Sequence, residues 1–516
     1  MTRTMARKEE FAMTSRSDFW RTAASIAGVA ALAAAAALAL QAPAMAQSPP
    51  PSTTVAVAGA PKVGDPPEAS NMRLVGYNDL QHRSAYQPTI HHQGNRYIAY
   101  IGHHGGTPEI PKPIDSLTGK AEFNGTSIVD VTDPAHPQYL AHIEGTEGLF
   151  EEGGAQMTRV CDGKTLPKGD PNKTYLLRVY GGKGHEIYDV TDPAKPARLW
   201  RSEGQLSDTH KSWWECDTGI GYLVSGVPGW RVKRMTEIYD LSDPAHPVKI
   251  RDFGLAGQEP GATGAIPEML HGMISLGPQA NRIYFGYGTN KGGIMQIVDR
   301  DKLLKGPKEP TPENLNYPEV GRLVMTPWNG AHTAFPMPKM PIAEFAKDSE
   351  GAVRDIIMIV DEQIRNECEE PQQMAWFVDV TIEAHPMVIS NFQVPEASGN
   401  FCTRGGRFGT HSANESMAPV FYKKVAFLSY FNAGVRAVDV RDPYHPQEIG
   451  YFIPSLTEAS DKRCVKVNGA DRCKVAIQTN NVETDDRGYI YIVDRANNGM
   501  HILELTGAAR AVAGLR

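Results

Sequence analysis

Four histidines stand in similar short settings: His210 (THKSW), His271 (LHGMI), His332 (AHTAF) and His411 (THSAN). Neutral imidazole is the commonest protein ligand for late transition metals, and several imidazoles on rigid strands can hold one ion while leaving positions open for a substrate. A donor set of nitrogen without thiolate suits iron or copper, with zinc as a third candidate, rather than calcium or magnesium. No CxxC occurs, which argues against a thiolate zinc site. The same register elsewhere in the chain gives Gln87 (YQPTI), Gln156 (AQMTR) and Asn480 (TNNVE), all with hydrogen-bonding heads.

Carboxylates near these positions are candidates for catalytic or orienting roles. Glu215 and Glu415 lie five and four residues beyond their histidines, where a carboxylate that accepts from a ligating imidazole would fix its tautomer. Odd and even offsets point to opposite faces of a strand, so at most one of the two serves directly. Asn480, Asn481 and Glu483 are candidates for orienting a substrate or for acid-base work. The pairs His91-His92 and His103-His104 either line a channel mouth or face water. His136, His246, His385 and His445 belong to a repeated proline turn and read as structural. GxSxG, P-loop and HExxH patterns are all missing from the sequence, so no nucleophile or phosphate-binding motif competes with the histidines.

The elements that must position these side chains are repeats. Seven segments end in a similar strand: SIVDV at Ser127, EIYDV at Glu186, EIYDL at Glu237, QIVDR at Gln296, WFVDV at Trp376, RAVDV at Arg436 and HILEL at His501. Their acidic markers, Asp130, Asp189, Asp240, Asp299, Asp379, Asp439 and Glu504, are spaced by 59, 51, 59, 80, 60 and 65 residues. Four strands run into DPAHP, DPAKP, DPAHP and DPYHP at Asp133, Asp192, Asp243 and Asp442, with a degraded EAHP at Glu383. Proline cannot donate to a ladder and fixes its own φ, so these are turns leading to edge strands. Each repeat also has an earlier strand apolar on both faces, such as Tyr97–Ile101 or Ile356–Val360, preceded by a further short strand. Seven four-stranded units predict an all-β fold, a seven-bladed β-propeller. The last repeat lacks an outer strand, and Met72–Tyr77 (MRLVGY) resembles that of the sixth (EIGYF), so an N-terminal outer strand is expected to complete the last blade and hide two edges.

The blade ending IVDVTDPAHPQYLAHI and its relatives resemble the LVIVD-repeat propellers of secreted bacterial proteins over residues 71 to 507. The resemblance implies the fold and almost nothing about activity. In ligand placement alone, axial histidines from separate blades are similar to the iron site of carotenoid-cleaving oxygenases and the copper site of selenium-binding-protein type methanethiol oxidases.

Residues 1–46 read as a signal peptide: Arg16 and Arg21 precede an Ala/Leu run ending near Leu40, and Ala44-Met45-Ala46 fits signal-peptidase cleavage. A Pro-rich linker at 47–70, the propeller at 71–507 and a C-terminal tail at 508–516 complete the chain. The expected location is periplasmic or secreted, with no stable membrane insertion after cleavage. The six cysteines support that address, because an even count in an exported chain suggests disulfides. Cys464 and Cys473 flank an Asn-Gly turn and form the easiest pair; Cys161–Cys216 and Cys368–Cys402 would complete the set, their pairing being open on sequence alone. The chain carries 52 Lys/Arg against 59 Asp/Glu, a net charge of −7, and no basic run, which argues against nucleic acid as a partner.

Together these features point to an exported metal-binding propeller, a metal-dependent oxidoreductase acting on a small-molecule substrate in the axial channel. The alternatives are a non-catalytic propeller that binds a protein or glycan, and a hydrolase using a zinc-activated water. The inserts Gly105–Gly125, Asp301–Tyr317, Met337–Val353 and Ile453–Gln478 are the expected sources of a lid.

Overall fold

The computed structural model describes residues 60–345, 347 and 351–515; the expected signal peptide lies outside them. Seven antiparallel sheets are built as the repeats require. In blade one the strands run outward as Ala85–Gln93, Arg96–His104, Thr126–Asp130 and Gln138–Ile143. The innermost strands of blades two to five are Thr158–Asp162, Ser212–Trp214, Leu270–Ser275 and Thr333–Pro341, and that of blade seven is Thr479–Thr484. In blade six the innermost segment keeps only part of its ladder: His411 N donates to Ser429 O at 3.0 Å and Asn414 N to Phe427 O at 3.1 Å.

Second strands are apolar on both faces because each blade is covered by its two neighbours. Ile98, Ala99, Tyr100 and Ile101 are all fully buried, as are Ile357, Met358, Ile359 and Val360. Continuous apolar runs of this kind belong to sheets with no solvent face. The acidic marker at the end of each third strand has a local task. Asp130, Asp189, Asp240, Asp379 and Asp439 each accept a backbone N–H two residues on, which starts the turn. In the proline turns His136, His246 and His445 bond the Asp three residues earlier, at 2.8, 3.0 and 2.8 Å.

Closure is as expected. Met72–Asn78 pairs with Met500–Leu505, Met72 opposite Leu505 and Tyr77 opposite His501. Gly76 is required here: a Cβ would sit 1.9 Å from the carbonyl oxygen of Pro134 in the neighbouring blade's turn. Two boundaries differ from the sequence reading. The linker already contains a strand, Glu68–Ser70, that pairs with Gln447–Ile453 of blade six. The expected tail forms a helix, Gly507–Ala513, whose Ala509 and Ala513 are buried against Phe421, Val425 and Leu505.

All three disulfides form, with Cα–Cα distances of 5.5, 5.3 and 4.0 Å for Cys161–Cys216, Cys368–Cys402 and Cys464–Cys473. The last staples a hairpin, Lys462–Val467 with Ala470–Val475, as its Asn-Gly turn required. Among the described residues no helix is long and apolar enough to cross a membrane.

Candidate metal centre on the propeller axis

Three innermost strands carry a β-bulge where they begin, and there the bulged residue is the one aimed inward. Register breaks fall between Ala85 and Gln87, Leu270 and Gly272, and Thr479 and Asn481, leaving Tyr86, His271 and Asn480 unpaired. A bulge adds local twist and turns one side chain away from the ladder's alternation. By this register the axial residue of blade one is Tyr86; Gln87, the sequence candidate, lies one step along and donates to Glu483 at 3.4 Å. The correction comes from the extra residue, which slides an alignment made by alternation.

The four histidines come together. Ring centroids are 4.7 Å apart for His210 and His271, 3.7 Å for His271 and His332, and 4.6 Å for His332 and His411. Tyr86 closes the circuit, edge-on to His210 and His411 at 5.4 Å from each, with its hydroxyl 3.2 Å from His210 Nε2. All five side chains are 2 % exposed or less. The remaining two blades support the rings: Gln156 Oε1 bonds His210 Nδ1, and the Asn480 carbonyl faces His411 Nδ1 at 2.6 Å.

Electrostatics keep these imidazoles neutral. Burial foremost, then the neighbouring rings and the cations Lys211, Arg234 and Arg495, hold all four well below the ordinary histidine value. Neutral rings have a lone pair to give. His210 Nε2 and His271 Nε2 are 3.1 Å apart, close to the ligand–ligand edge of about 3.3 Å expected around an ion with bonds of about 2.0–2.1 Å. Buried nitrogens without a hydrogen-bond partner are present at His271 Nδ1, His332 Nε2 and His411 Nε2.

Glu362 joins this set and was not among the sequence candidates. One donor atom each from His271, His332 and Glu362 lies within 4.8 Å of the others, all three residues buried. The Glu362 carboxylate is 3.9 Å from His332 Nε2 and 3.7 Å from His411 Nε2, and its Oε1 accepts from Arg407 at 2.9 Å. Burial pushes its carboxyl up, against the pull of Arg407 and Arg495. Glu362 comes just after the second strand of blade five, Val353–Val360, just as His104 ends that of blade one and Arg495 comes after that of blade seven. Second strands run antiparallel to the innermost ones, so their C-terminal ends meet the beginnings of the innermost strands where the histidines are. His104 contributes there, buried and 4.6 Å from the Tyr86 ring centroid. His103 is buried against Ser127, His91 bonds Asp162 at 2.9 Å and His92 stacks on Tyr97, so only His104 of the two pairs faces the rings.

The other carboxylate candidates lie elsewhere. Glu415 is bound by Lys211 Nζ at 3.0 Å and by Arg159. These cations overcome burial and hold its carboxyl at about 2. Glu483 accepts from the backbone N–H groups of Glu415 and Ser416, both at 2.9 Å. Burial and then the charge on Glu415 raise it to about 7. Lys211, Glu415, Arg159 and Glu483 thus fill the channel further along the innermost strands. The Lys211 stem crosses Gly272, where a Cβ would meet its Cδ at 2.6 Å. Glu215 is gripped by Arg300 at 2.6 and 2.9 Å, with Tyr222 and Ser275 also donating. Its partners include no imidazole, so it braces blades three and four rather than orienting a ring.

Of the expected lid sources, Gly105–Gly125 and Ile453–Gln478 come after a second or outer strand at the end where the innermost strands begin, which puts them at the histidine end. Asp301–Tyr317 forms short helices, Arg300–Lys305 and Pro312–Asn316, that pack Leu303 and Leu315 onto the blade core. Met337–Pro341 and Val353 belong to the first two strands of blade five, with Pro341 opposite Val353 at the other end.

No family model matches this chain, and no curated protein does, so the LVIVD resemblance rests on the blade endings alone. Solved structures similar to it include a hypothetical selenium-binding protein from Sulfolobus tokodaii (13 % identity, TM-score 0.46, covering 74 % of this chain and 87 % of that one). Another is the β-propeller domain of Cps50 (Swd1) from Myceliophteria thermophila (9 %, 0.44, 86 % and 100 %). A third is the periplasmic gluconolactonase PpgL of Pseudomonas aeruginosa (8 %, 0.43, 80 % and 100 %). At such identities and TM-scores the likeness carries no argument about function.

Proposed function

We propose that this chain is an exported metal-dependent oxidoreductase whose ion is held at the histidine end of the axial channel by His271, His332 and Glu362, with His210 and His411 completing or flanking the set. The observation that carries this reading is the convergence of one donor atom each from His271, His332 and Glu362 within 4.8 Å in a buried place, beside imidazole nitrogens that have no other partner. A mixed nitrogen and carboxylate set suits iron or copper, and zinc as well. When bound, a redox-active ion would supply one-electron chemistry at positions the protein leaves open.

The chain's own residues do the rest. Gln156 and the Asn480 carbonyl hold two rings by their Nδ1 atoms and aim Nε2 inward. Tyr86 offers a hydroxyl at the edge of the ring set, 3.2 Å from His210 Nε2, placed to donate a hydrogen bond to a small-molecule substrate. The Lys211–Glu415–Arg159 network occupies the channel beyond, so substrate enters from the Glu362 end. Export is supported by the leader-like first 46 residues and by three disulfides. A hydrolase using a zinc-activated water shares this site, and the Glu362 carboxylate favours keeping it as the second reading.

The test is to load the purified protein with copper, iron or zinc and compare it with a His271→Ala/His332→Ala variant. Stoichiometric binding lost in the variant supports the reading; equal binding by both defeats it. Dioxygen consumption by the loaded protein separates the oxidoreductase from the hydrolase.

A further inference from the structure

The histidine end of the channel carries more positive than negative charge, and one of its carboxylates arrives from a loop. Arg407 bonds Glu362, Arg495 bonds Glu151, and the charge of Arg234 acts on Glu362. Arg495 is 6 % exposed and its Nη1 makes no hydrogen bond; Glu362 Oε1 lies 3.8 Å from that nitrogen. Arg234 Nε is also buried without a partner. Arg234 precedes the third strand of blade three, and its carbonyl accepts from Leu270 N beside His271.

Glu151 lies on a single 3-10 turn, Phe150–Glu152, in a connection containing Gly145, Gly148, Gly153 and Gly154. Its side chain is 45 % exposed, yet its carboxylate is the best-coordinated anion at this end. Arg495 Nη2 donates to it at 2.8 Å, His104 Nε2 at 3.0 Å and Gln156 Nε2 at 3.4 Å. Two of those donors also touch the ring set: Gln156 bonds His210, and His104 packs on Tyr86. Phe150 and Leu149 beside it remain exposed at 42 % and 37 %, so the turn has little apolar burial to hold it in place. Backbone bonds hold the turn itself, Phe150 N to Gly106 O at 3.1 Å and Gly105 N to Phe150 O at 2.7 Å, so the exposed carboxylate can leave its donors by side-chain rotation alone.

We propose that Arg495, His104 and Gln156, backed by Arg234 and Arg407, form an anion subsite next to the histidine ring, that Glu151 occupies it in the substrate-free protein, and that the substrate carries a carboxylate or similar anionic group which displaces Glu151. This rests on the histidine end being the place of chemistry, and it names the substrate class that end selects. A charge-assisted bond to a guanidinium is stronger and more directional than one between neutral groups, so an anion able to replace Glu151 gains orientation as well as affinity.

Benzoate and its uncharged counterpart benzamide test this by titration calorimetry on the metal-free protein, with metal content measured on the same preparations. Benzoate is expected to bind and benzamide not. Glu151→Ala should bind benzoate about tenfold tighter because the internal competitor is gone, while Arg495→Gln and Arg234→Gln should each bind it about tenfold weaker, one charge-assisted bond in each direction. A merely structural role for Glu151 would weaken binding in all three variants. Equal affinity for benzoate and benzamide, or benzoate binding weakened by Glu151→Ala, overturns the proposal. Since these readings come from the metal-free protein, they stand apart from metal content, whose absence would defeat the metal reading alone.

Discussion

The Nδ1 atom of His411 lies 2.6 Å from the backbone carbonyl of Asn480. A carbonyl can only accept, so Nδ1 carries the proton and Nε2 presents its lone pair toward Glu362 and His332. Gln156 does the same for His210, because its own amide nitrogen donates to the Glu151 carbonyl at 3.1 Å and so turns Oε1 to the ring. Two of the four imidazoles are therefore set as Nε2 donors before any ion arrives.

Removing that preparation should weaken the ion without disturbing the rings' positions. Gln156→Leu is expected to lower metal affinity about 10- to 100-fold, the usual effect of losing a partner that orients a ligand. Competition with a chromophoric chelator checks it.

In the proposed site Glu362 has two duties, as a donor to the ion and as the partner of Arg407. Glu362→Gln keeps a hydrogen-bond acceptor for the guanidinium and should lower metal affinity with a small change in melting temperature. Glu362→Leu leaves Arg407, 19 % exposed, with the Gln363 carbonyl but no carboxylate, and should lower stability more than Glu362→Gln does. Chemical denaturation of the two metal-free variants separates the duties.

Acid should unfold the metal-free protein early. The four ring histidines titrate well below 6.5 when folded, and burial and Arg495 lower His104 to about 4. A lowered folded pKa means the unfolded chain binds protons first, so stability is present above about pH 6.5 and is lost as pH falls below it. Glu415, depressed to about 2, adds a second loss below about pH 4.5. Glu483, raised to about 7, acts in the opposite sense, favouring the folded state at low pH and disfavouring it as pH rises from about 4.5 through 7. Among the described residues nine buried histidines are held below their ordinary value, against five carboxyls held above theirs, Asp252, Asp361, Glu362, Glu483 and Asp494. The histidines outweigh the carboxyls, so the melting temperature is expected to drop between pH 7 and 5, with a smaller drop in the His271→Ala/His332→Ala variant. A flat profile contradicts the neutral buried rings.

Disulfide loss should rank with loop length. Cys161–Cys216 closes a separation of 55 residues and Cys464–Cys473 one of 9. Chain entropy gives about 4 kcal/mol for the first and about 2.7 kcal/mol for the second. Urea denaturation of the two Cys→Ser pairs is expected to show the larger fall for Cys161/Cys216.

The repeat, its closure and the ring of histidines were legible because each has a local signature: proline turns, doubly apolar strands, and a polar residue where an innermost strand begins. Tyr86 was hidden by the bulge, whose extra residue moved the alignment onto Gln87. Glu362 was hidden for a different reason. It sits just past the second strand of blade five in VDEQI, an ordinary exposed-looking context, and reaches the axis only because antiparallel strands return that end to the histidines. The signal available was the set of residues at the C-terminal end of the second strand in every repeat, where His104, Glu362 and Arg495 hold equivalent places. Glu215 misled because sequence distance from His210 says nothing of Arg300, which arrives from 85 residues away.

The most direct test of the proposed metal centre is elemental analysis of the protein isolated from its native host without chelators. About one equivalent of iron, copper or zinc per chain is expected, falling to background in His271→Ala/His332→Ala. A wild-type chain that is metal-free as isolated, and takes up none of the three ions when they are supplied, would contradict it.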